Sequence, residues 1–222
     1  MGDKPSVQLK EMLLKIDIHI HTSMSPDASV SIEEIPQILR MKRLDGVAVT
    51  DHDRFFNKEI EGTVIIPGIE VSTRQGHLLG LGNVGEITPG LSVDETIRII
   101  HSKDGVAILA HPFDVIRGGI RPAQVTEPLD GIETINSKAH PFRLSKYLAE
   151  KTARRLGIPT LGGSDSHIPE TIGDAYTCIE TRSASVEDVL DAIRHGSANA
   201  QGGPSGGMDE LRRVKRKIGR GF

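Results

Sequence analysis

The stretch Ile16-Asp17-Ile18-His19-Ile20-His21 alternates strictly between apolar and polar residues, the period-2 pattern of a β-strand with two unlike faces. Ile16, Ile18 and Ile20 share one face; Asp17, His19 and His21 share the other. Histidines two apart on a strand point the same way and can grip one ion between them. A solvated edge strand is the plainer reading of this stretch alone, but the chain keeps returning to the same chemistry. Gly46 to Thr50 runs into Asp51-His52-Asp53, Val64 to Ile69 into Glu70, Val106 to Ala110 into His111-Pro112, and Ile158 to Gly163 into Ser164-Asp165-Ser166-His167.

Between these strands lie helix signals. Ser31-Ile32-Glu33-Glu34 and Ser92-Val93-Asp94-Glu95 read as capping boxes, opening helices to about Leu44 and Lys103. A long helix is expected over about Phe142 to Leu156 with Gly157 as its stop, and Ser185 caps a last one to about His195. Further strands are expected at His77–Leu81, Leu129–Asn136 and Ala175–Glu180. Alternating strands and helices, with connections read as too long for hairpins, predict parallel strands joined by crossovers. Polar residues end so many strands that the expected fold is α/β, a distorted seven-stranded (β/α) TIM-like barrel, whose C-terminal strand ends form one rim. An open doubly wound sheet would use only two or three strand ends.

Composition narrows the class. At 222 residues, 37% hydrophobic and 26% charged, the chain is expected to fold as one soluble body. No apolar run approaches the roughly 18 residues of a membrane span, and residues 1–10 lack the order of a secretory signal. Cys178 is the single cysteine, which excludes an intramolecular disulfide framework and fits a reducing cytoplasm; its expected place is a strand core. Net charge is −3, so nucleic acid is not favoured as a partner. Nine histidines beside one cysteine mean that any metal site uses nitrogen and oxygen ligands. The barrel domain is expected over residues 1–200. Residues 201–222 read as a Gly-rich linker (Gly202 to Gly207) followed by a basic tail, whose Met208, Leu211, Val214 and Ile218 recur at helical spacing. That tail is either solvated or docks on the body or a protein partner.

The candidate ligands collected from the strand ends are His19, His21, Asp27, His52, Glu70, His111, Asp165 and His167. Each has a structural alternative: a polar loop for His52, an exposed strand end for Glu70, a satisfied core histidine for His111. Together they would converge on one pocket, where so many carboxylates and imidazoles are costly to desolvate without cations.

His19-x-His21 with Asp27, Thr50-Asp51-His52-Asp53, Gly68-Ile69-Glu70, Ala110-His111-Pro112 and Gly163-Ser164-Asp165-Ser166-His167 resemble the successive motifs of the PHP (polymerase and histidinol phosphatase) family, over about residues 15–200. The resemblance implies a distorted (β/α) barrel with two or three divalent metals and hydrolysis of phosphate esters. Carried over, it puts one metal on His19, His21, Glu70 and Asp165, with Glu70 bridging to a second on His111, and a third on Asp27, His52 and His167. Glu70, Asp165 and His111 would be the residues nearest the chemistry. Some members have histidine where this chain has Asp27. A further ligand to the second metal comes, in some relatives, from the strand end at Asn136; Asn136, His140 and His77 are the alternatives here.

Clustered divalent ions acidify a bound water and neutralise phosphoryl oxygens; imidazole with carboxylate suits Zn²⁺, Mn²⁺ or Fe²⁺. Arg74, Arg117, Lys138 and Arg143 follow rim strands, and Lys138 with Arg143 is the preferred phosphate-binding pair. His77 is a ligand, a phosphate donor, a proton shuttle or a structural residue. The expected function is a metal-dependent phosphoesterase acting on a small phosphomonoester (a nucleotide, a sugar phosphate or histidinol phosphate) through a metal-activated water. The alternatives are a nuclease or phosphodiesterase on nucleic-acid ends and a metal-binding interaction module without turnover.

Overall fold

The structure, a computed structural model, describes residues 11–206. The chain forms β1 (Met12–Ile20), α1 (Ile35–Lys42), β2 (Gly46–Val49), β3 (Val64–Ile66), β4 (Gly68–Ser72), β5 (His77–Leu81), α2 (Val93–His101), β6 (Val106–Leu109), β7 (Gly131–Asn136), α3 (Phe142–Leu156), β8 (Thr160–Gly163), β9 (Ala175–Thr181), α4 (Val186–Arg194) and β10 (Ala198–Gly202). The local signals act as their chemistry requires. Glu95 N–H donates to Ser92 Oγ at 3.2 Å, while Ser92 N–H donates to Glu95 Oε2 at 2.9 Å. Gly157 ends α3 at φ 67°, a left-handed turn that glycine enters without strain. Ahead of α1 the chain makes a single 3-10 turn, Ile32–Glu34, so the regular helix begins later than the capping box suggests.

The architecture is α/β, but the strands are not arranged as the expected parallel barrel. They form two five-stranded sheets, in the orders β10-β9-β1-β2-β3 and β4-β5-β6-β7-β8. Both sheets are mixed: β1-β2, β2-β3, β6-β7 and β7-β8 are parallel, while β1-β9, β9-β10, β4-β5 and β5-β6 are antiparallel. Two local causes account for much of the difference. Residues 73–76 alone join β4 to β5, too few for a crossover, and Thr73 N–H closes the turn on Gly76 O at 2.8 Å. Pro67 interrupts the apolar run 64–69, so β3 pairs with β2 in one sheet and β4 starts the other; proline has no N–H to continue a ladder.

Isolated bridges connect the sheets where the site lies: Ile20 with Ser166, His52 with Glu70, and Phe56 with Gly68. Between the sheets, Ile16, Ile18, Leu79, Ile108, Leu161 and Ile179 form one buried cluster. Ile97 and Ile100 of α2 with Ala149 and Ala153 of α3 cover the second sheet. Ile35, Ile38 and Leu39 of α1 cover Val47 and Val49. The polar face of β1 is not solvated: Asp17 and His19 are as fully buried as the isoleucines that flank them. Asp17 accepts N–H groups from Ser164 and Gly173, each at 2.9 Å, and so ties β1 to the loop that carries Asp165.

Strand β10 was not expected, and it crosses position 200. Gly203 N–H donates to Asp174 O and Ser205 N–H to Ser137 O, both at 2.9 Å, so the first part of the glycine-rich stretch lies against the body. The basic tail from Met208 falls outside the described residues. Cys178 sits in β9, half-buried. None of the described helices is long and apolar enough to cross a membrane.

Gly46 lies where β2 meets β3, and a Cβ there would stand 2.4 Å from Val64 O. Gly46→Ala should therefore cost about 1–3 kcal/mol of stability through forced backbone shifts, read as a lower urea midpoint at unchanged m-value.

Candidate metal centre

All eight residues singled out as ligands come together where the strand ends meet. His19 and His21 leave β1 on one side of the chain, with their Nε2 atoms 3.2 Å apart. Their other ring nitrogens are engaged behind them: His19 Nδ1 lies 3.1 Å from Glu133 Oε1, and His21 Nδ1 lies 3.3 Å from Ser25 Oγ. Ser25 has already given its hydroxyl hydrogen to Asp51 Oδ1, at 2.6 Å. It can only accept from His21, which places the proton on Nδ1 and leaves Nε2 with its lone pair toward the pocket.

Glu70 stands at the centre. Its Oε1 lies 3.1 Å from both His111 Nε2 and His77 Nδ1, and its Oε2 lies 2.8 Å from His52 Nδ1 and 3.4 Å from His21 Nε2. Asp165 Oδ1 lies 3.4 Å from His21 Nε2 and 3.5 Å from His167 Nδ1. Asp27 Oδ2 is 3.2 Å from His167 Nε2. Three groups, two of which share His21, can each hold an ion: His19, His21 and Asp165; Glu70, His77 and His111; His21, His52 and His167. They open on a pocket of about 200 Å³.

The backbone is unusual at two of these residues. His111 and Asp165 have positive φ, 27° and 53°, a region that costs about 1–3 kcal/mol for residues with a Cβ. Hydrogen bonds hold both: His111 N–H donates to Glu133 Oε2 at 2.7 Å, and Asp165 N–H to His19 O at 2.8 Å. The chain turns sharply at each strand end, so side chains that would have passed along the sheet face the pocket.

The charges are interdependent. Burial opposes ionisation of Glu70 and Asp165, yet the surrounding imidazoles, His19 foremost, hold both carboxyls well below the usual range. Partial burial likewise opposes Asp27, and His167 and His52 more than offset it. At His19 burial favours the neutral ring, but Glu133, Glu70 and Asp165 outweigh it and raise its pKa well above the ordinary value. His21 is driven the other way by burial and by His167. His52 and His111 are raised by Glu70 against the effect of burial.

Of the candidates for a further ligand, His77 alone enters a group. Asn136 turns its amide nitrogen to Glu133 Oε2 and Asp165 Oδ2, at 3.0 and 3.3 Å, and its oxygen to Lys138 N–H at 2.9 Å. His140 is exposed, with Nδ1 on Lys138 O at 2.7 Å. Among the cations, Lys138 and Arg117 line the pocket. Lys138 is buried with Nζ 2.8 Å from His167 Nδ1, and Arg117 donates to Lys138 O. Arg143, half of the preferred pair, is instead exposed in the first turn of α3 and is not among the lining residues; Arg74 is exposed and pairs with Glu95 at 2.9 Å. Glu133 belongs to none of the motifs that mark the site in the sequence. An acidic residue amid the wholly buried strand Gly131–Asn136 was the available signal.

A family model described as PHP-associated matches residues 144–198. An uncharacterised protein of Methanocaldococcus jannaschii is 31% identical over 160 residues, covering 64% of this chain and 94% of its own. A two-domain protein of Bacteroides vulgatus, described as containing a predicted PHP-like metal-dependent phosphoesterase, superposes with a TM-score of 0.62 at 15% identity, over 98% of this chain and 74% of that one. The lesion-specific endonuclease Q of Pyrococcus furiosus also gives 0.62, at 18% identity, over 85% of this chain and 58% of that one. At these identities the structural likeness is one of fold.

A protonated His19 must lose its proton before Nε2 can bind an ion. Because its folded pKa is raised, that proton is present at neutral pH, and affinity should fall about tenfold per pH unit per proton displaced as the solution is acidified. Zn²⁺ titrations of chelator-stripped protein between about pH 8 and 6, with proton release followed in weak buffer, check this; a flat profile would contradict it.

Proposed function

Because the chain belongs to the PHP family of metal-dependent phosphoesterases, we propose that it hydrolyses a small phosphomonoester in the pocket at the strand ends. The observation that carries this reading is the convergence of three nitrogen and oxygen donor groups on one cavity whose wall also holds Lys138 and Arg117. The donors fit divalent cations. Two ring nitrogens 3.2 Å apart, with their outer nitrogens already engaged, need a shared proton or a cation between or beside them. Imidazole and carboxylate ligands suit zinc, manganese or ferrous iron.

His19, His21 and Asp165 would hold one ion, Glu70, His77 and His111 a second, and His52 and His167 with Asp27 a third where three are bound. Such ions supply a water acidified to near neutrality and counter-charge for phosphoryl oxygens. The protein's own groups do the rest. Lys138 and Arg117 donate N–H groups to phosphoryl oxygens from the wall of the pocket, and their charge favours the anionic ester. Asp51 holds the loop that leads to Asp27: its oxygens accept from Thr22 N–H at 2.8 Å and Thr22 Oγ1–H at 2.7 Å.

A cavity of about 200 Å³ is smaller than the roughly 300–1,000 Å³ that encloses a whole drug-sized ligand. It accommodates the phosphoryl group and leaves the leaving group at the mouth. That openness also supports a second reading, cleavage at a nucleic-acid end, where the strand would lie outside. A site built without thiolates and a lone cysteine fit a cytoplasmic enzyme.

The test is hydrolysis of an aryl phosphate monoester and its bis-aryl diester, with Mn²⁺ or Zn²⁺ restored to stripped protein. Metal-dependent monoester turnover is expected, falling at least about 100-fold in His19→Ala or Asp165→Asn. Lys138→Met should lower kcat/KM by about tenfold or more with metal content unchanged. Faster diester turnover would move the substrate to nucleic-acid ends. Stoichiometric metal without any turnover would leave a binding module.

A further inference from the structure

We propose that Glu133 is a positioning residue of the metal centre, setting the orientation of His19 and of the strand end that carries His111. This role rests on the reading of His19 and His111 as metal ligands. Glu133 lies midway along β7 with its carboxylate buried. Its ion-pair partner among the described residues is His19. A carboxylate buried without lysine or arginine is costly unless its lone pairs are filled, and here they are filled from three elements. Oε1 faces His19 Nδ1 at 3.1 Å; Oε2 accepts His111 N–H at 2.7 Å and an amide hydrogen of Asn136 at 3.0 Å. The same Asn136 nitrogen reaches Asp165 Oδ2 at 3.3 Å.

The consequences differ at each contact. With Nδ1–H directed at the carboxylate, Nε2 is the nitrogen that His19 offers to an ion on the side of Glu70 and Asp165 once its proton is displaced, and the anion behind it strengthens that donor. The bond to His111 N–H fixes a residue at φ 27°, and with it the direction of an imidazole that meets Glu70. One buried group thus sets the spacing between two of the donor groups. Room for the contact comes from Gly163, where a Cβ would stand 2.6 Å from Glu133 Oε1 and 2.5 Å from His19 Cβ.

Glu133→Gln keeps the shape but not the pattern. An amide has one accepting oxygen, so its NH₂ must confront either His19 Nδ1–H or the donors of His111 and Asn136. Zn²⁺ affinity of the full chain should fall about 10–100-fold, the range for losing a histidine's outer partner, while the metal-free melt stays cooperative. In Zn²⁺-loaded wild type, ¹⁵N imidazole spectra should show His19 protonated at Nδ1 with that proton hydrogen-bonded, and Glu133→Gln should shift or lose this signal. If Glu133→Gln does not fold, Glu133→Asp keeps the charge but draws the oxygens back from His19 Nδ1 and His111 N–H, and the same fall in affinity is expected. Wild-type affinity in a folded Glu133→Gln protein, or a His19 bound through Nδ1, overturns the role of Glu133 and leaves the metal reading standing. A wild type that takes up no metal overturns both.

Discussion

The structure depends on how negative charge is kept out of water. Glu70, Asp165 and Glu133 are buried at the meeting of the two sheets, with Asp27 half-buried beside them. Anions in such a place are stable only beside positive charge or convergent hydrogen-bond donors. Around them the chain supplies imidazoles, which carry a proton or give a lone pair as circumstances require. That choice is why the polar face of β1 can be buried at all. The same residues that make the interior costly as bare charges make it a coordination site once cations are available.

Position is then a matter of backbone. The parallel pairs β1-β2 and β7-β8 lie in different sheets, and the isolated bridges from Ile20 to Ser166 and from His52 to Glu70 link the two sheets beside the site. The left-handed turns at His111 and Asp165 redirect side chains that would otherwise run along the sheet. Behind them, Asp17, Asp51 and Glu133 each tie segments far apart in sequence. Asp17 joins β1 to the loops at Ser164 and Gly173, Asp51 joins β2 to the loop at Thr22 and Ser25, and Glu133 joins β7 to His19 and His111. The three supporting carboxylates thus hold together the segments that carry the donor side chains.

Most of this site was legible because strand ends and residue types carry local information. His19-x-His21, the run into Asp51-His52, Glu70 after an apolar run, and Ser164 to His167 could be recognised without knowing which strands pair. The alternation of β1 and the caps of α2, α3 and α4 were equally local. What escaped was the pairing. The four-residue turn before His77 and the break at Pro67 reverse or exchange strands, and each is a small signal within a chain that otherwise alternates strand and helix. The closed parallel barrel failed on those points. Glu133 escaped for a related reason: an acid inside a buried strand has meaning only once its partners, more than a hundred residues away in the case of His19, are known to be adjacent. Arg117 lines the pocket and Arg143 does not, a difference hidden in the sequence because distance along the chain from a strand end does not tell which side of a helix or loop faces the pocket.

The overlap of the donor groups also constrains how ions can be shared. An imidazole nitrogen has one lone pair, and His21 has only Nε2 to offer because Nδ1 is engaged by Ser25. His21 belongs to two of the three groups and can complete only one of them. With His19 3.2 Å away and Asp165 Oδ1 3.4 Å away, it is better matched to that pair. His52 and His167 then need another donor, and Asp27 stands 3.2 Å from His167 Nε2 and 3.9 Å from His52 Nε2. Glu70 is under no such restriction, since its two oxygens face different histidines: His77 and His111 on one side, His21 and His52 on the other. A carboxylate so placed can serve two ions at once where an imidazole cannot, which is the physical reason for an acid rather than a further histidine at the centre of the cluster.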